Sequence, residues 1–543
     1  MPNGMLRTPL PDNEPVQGYA PGSPERESLK ATLNEMMGQQ IEIPLRIGGE
    51  HVKTGNTAQC VCPHDHGHVL ATYHKAGPKE VQMAIEASQK AYHEWSEMSW
   101  EHRASVFLKA ADLIAGPYRD VLNGATMLNQ SKNVQQAEID AACELIDFLR
   151  FNASYIEQIY SEQPESAPGM WNYLEHRPLE GFVFAVTPFN FTAIAGNLPT
   201  APAMMGNVAL WKPASSAVLN AHYIMDILEE AGLPAGVINL IPGSGGEVGA
   251  PVMESEILAG IHFTGSTAVF KNMWKTVGDN IGKYKYYPRI VGETGGKDFI
   301  FAHPSANVQE LVVAMVRGAF EYQGQKCSAA SRAFIPASLY DDVMQGLLDM
   351  VKKIDMGSPL DFRNFMCAVI DKNAFGDHVE YIEYAKKSDD HQILAGGEYD
   401  DSKGYFVQPT VVEASSPHSK LMVEEIFGPV LTVYKYDDSD LDNAVEACNT
   451  ASDYGLTGAI FARDRGVITD LTARLRHAAG NFYINDKPTG SVVGQQPFGG
   501  GRASGTNDKA GSVLNLVRWV SPRSIKETFV PPTDFRYPHM GDE

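Results

Sequence analysis

Hydrophobic residues recur at three- and four-residue intervals through residues 77–165, which is the spacing of amphipathic helices. The pattern covers PKEVQMAIEASQKAYHEWSEM, EHRASVFLKAADLIAG and AEIDAACELIDFLRFNASYIEQIY. Prolines then interrupt it in SEQPESAPGMWNYLEHRPLE, residues 161–180. We interpret this stretch as a hairpin or a connecting flap.

From residue 181 onward, short apolar runs alternate with helical patterns. The predicted strands are GFVFAVTP, MMGNVALWKP, GVINLIPG and ILAGIHFTGS, and RIVGETGGKDFIFA is predicted to be a strand pair. Between them, AVLNAHYIMDILEEAGLP is a predicted helix that ends at Gly-Pro. This alternation indicates a parallel, doubly wound α/β sheet, whose ligands bind beyond the carboxyl ends of the strands.

The alternation continues after residue 327 in SRAFIPA, SLYDDVMQGLLDMVKKI, EEIFGPVLTVYKY and GLTGAIFARD. It predicts a second α/β domain at 296–509, after a first at 46–295 that the flap at 161–180 interrupts. The Pro/Gly-rich start of the chain predicts an extended N-terminal arm, which we place at 1–45. The β-like tail, LNLVRWVSPRSIKETFV, predicts a C-terminal arm at 510–543.

Composition and charge exclude several classes of protein. The 543 residues are 43% apolar and 20% charged, as in a globular protein with a large core. A formal net charge of −22 argues against broad binding to nucleic acid or to an anionic membrane. The chain has no apolar run of about 18 residues that would predict a membrane span. We therefore expect neither a nucleic-acid nor a membrane partner.

Cysteine is sparse, with six residues in the whole chain, and forms no disulfide framework. A reducing compartment is the better expectation. The first residues have neither an apolar signal core nor an Arg-rich amphipathic pattern. We therefore expect a cytoplasmic protein.

A cluster of metal-binding residue types lies in CVCPHDHGHVL. Cys60, Cys62, His64, His66 and His68 alternate at period two and would share one face of a strand. No second cluster with zinc spacing follows, so we interpret the stretch as a half-exposed hairpin near PHDHG and expect no metal.

Cys327 follows an apolar helical run in EYQGQKCSAAS. A cysteine among small residues is more often a packed thiol than a nucleophile. Glu293 in VGETGGK is similarly ambiguous, because it is either a desolvated base or a solvated strand-end carboxylate. Asn190 in TPFNF is an oxyanion donor or a turn residue.

Two glycine turns follow predicted strands. Gly265 and Ser266 in FTGSTAVF could present N–H groups to a phosphate at a helix N-terminus, but most Gly-Ser pairs after a strand are simple turns. IPGSGGEVG also follows a strand, and its glycines do not match the spacing of a dinucleotide fingerprint.

As an ordered set, these motifs resemble the aldehyde dehydrogenase superfamily. The matching pieces are TPFNF, WKPAS, FTGS, GETGGK, GQKCS, EEIFGPV and NFYIND, from about residue 45 to the C-terminus. The separation between Glu293 and Cys327 also fits the family. AEIDAACELIDFLRFN, FEYQGQKCSA and NDKPTGSVVGQQPFGGGRASGTNDKAG are most similar to the branch that acts on L-glutamate γ-semialdehyde.

The resemblance implies a Rossmann-type NAD-binding domain at 46–295, a catalytic α/β domain at 296–509 and a β oligomerisation arm. It implies a homodimer or a larger homo-oligomer. The implied activity is oxidation of the semialdehyde to L-glutamate with reduction of NAD. NADP is a weaker expectation, which Ser215 leaves open because many family members have a ribose-binding glutamate there.

The resemblance also implies residue roles. Cys327 is the expected nucleophile, Asn190 and the Cys327 N–H are the expected oxyanion donors, and Glu293 is the expected base that activates water. Three pairs of residues are expected to contact the cofactor. Lys212 and Ser215 are expected at the adenosine ribose, and Gly265 and Ser266 at the pyrophosphate. Glu425 and Phe427 are expected at the nicotinamide riboside.

For the substrate, the expected carboxylate ligands are Ser328, Gly490 and Ser491. Phe191 and Phe498 are expected to enclose the aliphatic chain, although core packing explains them equally well. Glu144 is a candidate partner of the ammonium group. One further departure from the family pattern is Phe270, which replaces the glycine that usually closes the FTGS turn.

Three other functions stay open. The nearest is an NAD(P)-dependent dehydrogenase of another aldehyde, such as succinate semialdehyde or a fatty aldehyde; a CoA-acylating enzyme is disfavoured because Glu293 is kept. A cysteine hydrolase would need a histidine that no neighbourhood of Cys327 nominates. A binding protein with a dead site conflicts with the intact set of Asn190, Glu293 and Cys327.

Overall fold

The fold is built on two β-sheets, each of which contains parallel and antiparallel strands. The computed structural model describes Gly4 and residues 6–542, so residues 1–3, 5 and 543 of the two predicted arms lie outside the described residues. Within the described chain, two seven-stranded sheets form, each covered by helices. The α/β class predicted from the sequence is confirmed.

The first sheet contains the strands predicted between residues 181 and 293. Its five parallel strands continue into an antiparallel hairpin at one edge. Its strands in spatial order are Arg289–Glu293, Leu258–Thr264, Phe182–Val186, Val208–Lys212, Ile238–Leu240, Leu45–Ile47 and Glu50–Val52.

The carboxyl ends of four parallel strands in this sheet are aligned. Thr264 is in register with Glu293, Phe263 with Val186, and Val186 with Lys212. The segments that follow these strand ends therefore meet at one edge, where ligands of doubly wound sheets bind.

The second sheet has parallel strands with one antiparallel edge strand. Both strands predicted in RIVGETGGKDFIFA form, but they do not pair with each other, because Arg289–Glu293 enters the first sheet and Asp298–Ala302 the second. The strands of the second sheet, in spatial order, are His391–Ala395, Thr410–Ala414, Val430–Tyr436, Ala330–Pro336, Asp298–Ala302, Thr457–Phe461 and Asn481–Ile484.

The helices alternate with these strands. The α-helices of the described chain are Pro24–Met37, Pro78–Glu97, Trp100–Ala115, Arg119–Gln130, Val134–Ala137, Glu144–Ser161, Thr192–Met204, Val218–Ala231, Gly245–Glu254, Thr267–Asn280, Val308–Phe320, Ala337–Val351, Lys372–Lys387, Lys420–Val423, Leu441–Thr450, Arg465–Arg474 and Val513–Leu516. None of them is both long and apolar enough to cross a bilayer.

The predicted helix through AEIDAACELIDFLRFN contains an irregularity. Residues Glu138–Cys143 form a π-helical turn before Glu144–Ser161. Such turns arise where one residue is accommodated outside the α-helical repeat, and they occur often at functional sites. The turn itself contains two buried acidic residues, Glu138 and Asp140.

The N-terminal region is not an extended arm throughout. Residues 6–20 lack regular structure, but Pro24–Met37 is a helix that begins with Ser23 as its N-cap and buries Leu29 and Leu33. The serine hydroxyl accepts the N–H of Arg26 and so satisfies one of the unpaired groups of the first turn.

The predicted flap and the predicted C-terminal arm form one ribbon. Met170–Pro178 pairs antiparallel with Val520–Thr528 along its whole length, so the flap is not a hairpin within itself. The tail reaches the ribbon through a short helix, Val513–Leu516, and a 3-10 turn. Asn207 fixes the ribbon's base, since its buried amide donates to the Trp519 carbonyl at 2.8 Å.

The Cys/His segment forms the hairpin expected for it. Thr57–Cys62 pairs antiparallel with Asp65–His74, and Ile41–Ile43 adds a third strand. Its histidines have separate contacts: His64 is near the Ser131 hydroxyl and His66 near the Asp401 carbonyl. In the described part of the chain, no group of three or more His, Cys, Asp or Glu residues is arranged to hold a metal ion.

Candidate active site

A left-handed loop places Cys327 between the two sheets. After helix Val308–Phe320 the backbone turns through Tyr322, Gln323 and Gly324, with φ of 50°, 55° and 67°. A side chain on Gly324 would meet the Gly428 carbonyl at 2.2 Å, so only glycine fits this close approach. The loop then delivers Cys327 three residues before strand Ala330–Pro336.

Two glutamines hold this loop from inside the protein. The Gln323 amide donates to the carbonyls of Ser131 and Ala368, at 3.1 and 2.7 Å, and accepts the N–H of Cys367. The Gln325 side chain accepts the N–H of Ile370 at 2.9 Å. Because these bonds are buried, they offset the strain of the left-handed residues and fix the loop.

Asn190 is fastened to the same loop. It follows strand Phe182–Val186, is 4% exposed, and donates through Nδ2 to the Gln325 carbonyl at 3.0 Å. An amide nitrogen has two protons, so one remains for a ligand near Cys327. The structure thus brings the predicted oxyanion donor to the nucleophile loop.

Glu293 lies at the carboxyl end of its strand, in a partly exposed position. The Gly500 N–H donates to its Oε2 at 3.1 Å. Burial raises the pKa of Glu293 well above its ordinary value, although the Gly500 N–H and the nearby Lys509 charge act in the opposite direction. A carboxyl group with a raised pKa suits a general base near neutral pH.

Cys327 is buried, with 9% of the residue exposed. Burial is the largest cause that raises the pKa of Cys327 well above its ordinary value, followed by the carboxylates of Asp298, Glu293 and Glu425. The thiol proton must therefore leave before a nucleophilic attack.

Cys327 lines two cavities, one on each side. The smaller, about 300 Å³, contains Glu293 and every residue predicted for the substrate. These are Glu144, Phe191, Ser328, Gly490, Ser491 and Phe498. The Ser328 and Thr489 hydroxyls are 2.7 Å apart, which connects the residue after Cys327 to the loop of Gly490 and Ser491.

A buried ionic cluster borders the smaller cavity, and the sequence analysis missed it. Lys132 Nζ donates to Asp140 Oδ2 at 2.6 Å, and Lys326 Nζ lies 3.2 Å from the same oxygen. Both ammonium groups also lie over the Phe191 ring, at 4.5 and 5.5 Å from its centroid. Burial, and then Asp140, raise the pKa of the adjacent Glu144 well above its ordinary value.

These contacts give the cavity wall a definite charge. The ammonium groups of Lys132 and Lys326 share the one carboxylate of Asp140, so these three groups together have a net positive charge. Burial lowers the pKa of Lys132 only to about 8, which leaves it charged at neutral pH. One sequence signal for the cluster existed, because Asp140, Glu144 and Asp147 are spaced as on one face of an apolar helix.

The larger cavity, about 1030 Å³, lies along the carboxyl edge of the first sheet. Five of the six residues predicted for the cofactor line it: Lys212, Gly265, Ser266, Glu425 and Phe427. Ser215 is the exception; it is exposed in the 3-10 turn after Lys212, and its hydroxyl contacts Tyr73.

Two helix N-termini face this cavity. Ser266 caps helix Thr267–Asn280, and Gly245 and Gly246 open helix Gly245–Glu254 in the segment IPGSGGEVG. The sequence analysis left that segment as a weak candidate because its glycine spacing is unusual. Backbone N–H groups at helix N-termini suit a pyrophosphate, so the cavity fits a dinucleotide.

Phe270 does not enter the cofactor cavity. It stacks on Phe263 with ring centroids 5.3 Å apart, and a Cβ on Gly292 would lie 2.2 Å from its ring. The phenylalanine therefore fills space beneath the sheet that Gly292 leaves open. This packing explains how the FTGS turn is kept without the usual closing glycine.

Glu425 lines the cofactor cavity and bonds to the segment that connects strand Arg289–Glu293 of the first sheet to strand Asp298–Ala302 of the second. Its Oε1 accepts the Gly296 N–H at 2.9 Å, and burial raises its pKa to about 7. Lys297 beside it is buried, and burial lowers the pKa of Lys297 to about 7.

Comparison with known proteins gives consistent results. The model of the aldehyde dehydrogenase family matches residues 51–521. The mitochondrial delta-1-pyrroline-5-carboxylate dehydrogenase of Dictyostelium discoideum is 53% identical over 537 residues, which are 98% of this chain and 96% of that protein. Its Homo sapiens counterpart is 48% identical over 529 residues, 97% of this chain and 94% of that protein.

Solved structures agree with these relatives. The crystal structure of the delta-pyrroline-5-carboxylate dehydrogenase from Mycobacterium tuberculosis bound with NAD superposes with a TM-score of 0.96 at 52% identity. The superposition covers 99% of this chain and 100% of the Mycobacterium tuberculosis chain. Thermus thermophilus 1-pyrroline-5-carboxylate dehydrogenase superposes with a TM-score of 0.91 at 33% identity, covering 97% of this chain and 100% of that chain.

The raised pKa of Cys327 predicts slow alkylation of the free protein at neutral pH. Because only the thiolate reacts, the rate with iodoacetamide should rise about tenfold per pH unit between pH 7 and 9. Mass spectrometry of the peptide that contains Cys327 measures it, with Cys327→Ser as the control for other sites. A rate that stays constant over this range would mean that the thiolate is already formed at rest.

Proposed function

The chain belongs to the aldehyde dehydrogenase family, and we propose that it oxidises L-glutamate γ-semialdehyde to L-glutamate with reduction of NAD. The semialdehyde is in equilibrium with 1-pyrroline-5-carboxylate, so this is the second step of proline catabolism. One observation carries the proposal: Cys327 is the point where a dinucleotide-sized cavity meets a small cavity with a polar end.

The cofactor cavity supplies a contact for each part of NAD. The N-termini that contain Gly245 and Ser266 suit the pyrophosphate, and Lys212 suits the adenosine ribose. Glu425 and Phe427 suit the nicotinamide riboside. When bound, NAD would accept the hydride that the substrate carbon loses. NADP is the weaker candidate, and Ser215 belongs to the proposed ribose site only by its position after Lys212.

Catalysis begins with the sulfur of Cys327. Its proton passes to a base, for which Glu293 is the proposed candidate, and the sulfur then bonds to the aldehyde carbon. The carbonyl electrons move to oxygen, where the Asn190 amide and the Cys327 N–H donate to the resulting oxyanion. One such donor typically lowers a barrier by about 3 kcal/mol.

Loss of hydride leaves a thioester on Cys327. Glu293 releases the thiol proton to solvent, becomes a carboxylate again and then has its second role. It removes a proton from water, the water oxygen bonds to the acyl carbon, and the carbon–sulfur bond breaks. The sulfur leaves as thiolate and the product is a carboxylate. One nucleophile thereby divides the oxidation into two easier steps.

The far end of the cavity supports an α-amino acid substrate. Ser328, Ser491 and the N–H groups of the Gly490 loop are suitable donors to a carboxylate, and the positive charge of the Lys132 and Lys326 cluster adds attraction. The acidic residues Glu144 and Asp147 line the same cavity and suit an ammonium group. Succinate semialdehyde has the carboxylate but lacks that ammonium.

We therefore expect a larger kcat/KM for L-glutamate γ-semialdehyde than for succinate semialdehyde, as measured by NADH formation. Glu144→Gln should lower the kcat/KM for L-glutamate γ-semialdehyde about tenfold, because a charged contact is lost. The same substitution should change the kcat/KM for succinate semialdehyde less. Glu162→Gln, at the exposed end of the same helix, is the matched control. A larger kcat/KM for succinate semialdehyde in the wild-type protein would refute the substrate assignment.

A homodimer or larger homo-oligomer is proposed from the ribbon of Met170–Pro178 and Val520–Thr528. A two-stranded ribbon is marginally stable alone in water, and Trp171 and Phe529 are 55% and 59% exposed at its end. A second copy of the chain would cover them. The cytoplasmic location stays a prediction, since the names of several relatives include the word mitochondrial.

The double substitution Trp171→Glu with Phe529→Glu should weaken this association, because it places charges in the proposed interface. Light scattering after size-exclusion chromatography should show at least a dimer for the wild type and a smaller mass for the variant. Leu360→Glu, in an exposed loop outside the ribbon, serves as the control. A monomeric wild type, or a variant of unchanged mass, would contradict the proposal.

A further inference from the structure

We propose that Asn13 is a positioning residue that holds the carboxylate-binding loop of the substrate cavity in place. Asn13 belongs to the N-terminal strap, residues 11–19, and the loop that it holds is the anchor loop, residues 489–496, which contains Gly490 and Ser491. The inference deepens the proposed function and rests on it, because it concerns the end of the cavity assigned to the substrate carboxylate.

Asn13 joins two walls of the cavity. Its Nδ2 donates to Asp147 Oδ2 and to the carbonyl of Val493, both at 2.8 Å. Its Oδ1 accepts from the Gln495 side chain, also at 2.8 Å. Asp147 belongs to helix Glu144–Ser161, whereas Val493 and Gln495 belong to the anchor loop. One amide thus ties that loop to the helix that supplies Glu144.

The strap itself is held firmly enough to position another segment. The Glu14 N–H donates to Asp147 Oδ1 at 2.7 Å. The Glu14 carboxylate pairs with Arg119 at 2.6 Å and with Arg150 at 2.7 Å. Further along, Tyr19 is buried and donates to Glu138 Oε2 at 2.8 Å. Asn13 therefore has a fixed backbone from which to act.

The anchor loop depends on side-chain contacts for its position. It has no helix or strand, and Gly490 adopts a φ of +94°, so no backbone ladder holds it. The Lys487 ammonium bonds to the Thr489 carbonyl, and the Gln496 side chain accepts the Val492 N–H. These contacts lie within the loop region; the Asn13 contacts connect it to the helix opposite.

The strap is also part of the cavity wall. Asn13, Glu14 and Val16 line the cavity together with Ser328 and Gly490. In the described part of the chain, the strap does not line the cofactor cavity, and the side-chain hydrogen bonds of Asn13 go to Asp147, Val493 and Gln495 and not to the loop that holds Cys327. A change at Asn13 should therefore affect binding of the substrate carboxylate and leave the cofactor and the nucleophile unaffected.

The test compares Asn13→Ala with Asp12→Ala, a control at the neighbouring exposed position of the strap. We expect Asn13→Ala to raise the KM for L-glutamate γ-semialdehyde about tenfold, the effect of one lost hydrogen bond to a charged group. The kcat, the KM for NAD and the kcat/KM for propanal, which has no carboxylate, should stay within twofold of the wild type. Asp12→Ala should leave all four constants unchanged.

Two further variants identify the mechanism. Asn13→Asp keeps the size but faces Asp147 and the Val493 carbonyl with a third acceptor, so its KM should rise at least as much as that of Asn13→Ala. Gln495→Ala removes the other contact, and the double variant Asn13→Ala with Gln495→Ala should lose less than the two single losses combined, because both act through the anchor loop.

The possible outcomes separate the two proposals. If Asn13→Ala lowers the melting temperature but leaves the KM for the semialdehyde unchanged, or lowers activity equally on semialdehyde and propanal, Asn13 is only structural and the inference is wrong. Failure of the proposed function would be visible in the wild-type protein alone, as a preference for a substrate other than L-glutamate γ-semialdehyde.

Discussion

The position of one sulfur atom constrains most of this structure. Cys327 lies where the two cavities meet, and an irregular segment places it there. The chain uses a left-handed loop at Tyr322–Gly324, which costs conformational energy. Buried bonds from Gln323 and Gln325 compensate for that cost, and the same loop accepts a hydrogen bond from Asn190. Cys327 and Asn190, the proposed nucleophile and oxyanion donor, are thus parts of one rigid assembly.

The two sheets create the space around that assembly. The first sheet contributes its carboxyl edge, where Lys212, Thr264 and Glu293 are aligned by the register of neighbouring strands. The second contributes the amino ends of its strands, where Ala330 follows closely after Cys327. The site is buried, so both Glu293 and Cys327 hold their protons more tightly than exposed groups do. Chemistry in this site therefore begins with proton transfer.

Local sequence patterns were sufficient for much of this arrangement. The strands of the first sheet are continuous apolar runs that the sequence pattern predicts directly. Asn190, Glu293 and Cys327 are each ambiguous alone, and their common site was predicted from the resemblance to the aldehyde dehydrogenase superfamily. What escaped prediction depends on contacts between distant segments. Met170–Pro178 pairs with a strand more than three hundred residues later, and neither strand indicates its partner. The cluster of Lys132, Asp140 and Lys326 likewise combines a loop, a π-helical turn and the nucleophile segment. The strap contact of Asn13 is of the same kind.

The central claim is that Cys327 forms a covalent thioester that Glu293 hydrolyses. The most direct measurement is intact-protein mass spectrometry of Glu293→Gln mixed with NAD and L-glutamate γ-semialdehyde. Because the amide cannot remove a proton from water, we expect an acyl adduct on Cys327 and a burst of about one NADH per subunit, followed by slow turnover. If Glu293→Gln turned over at the wild-type rate without an adduct, or if the adduct lay on a residue other than Cys327, the account would be contradicted.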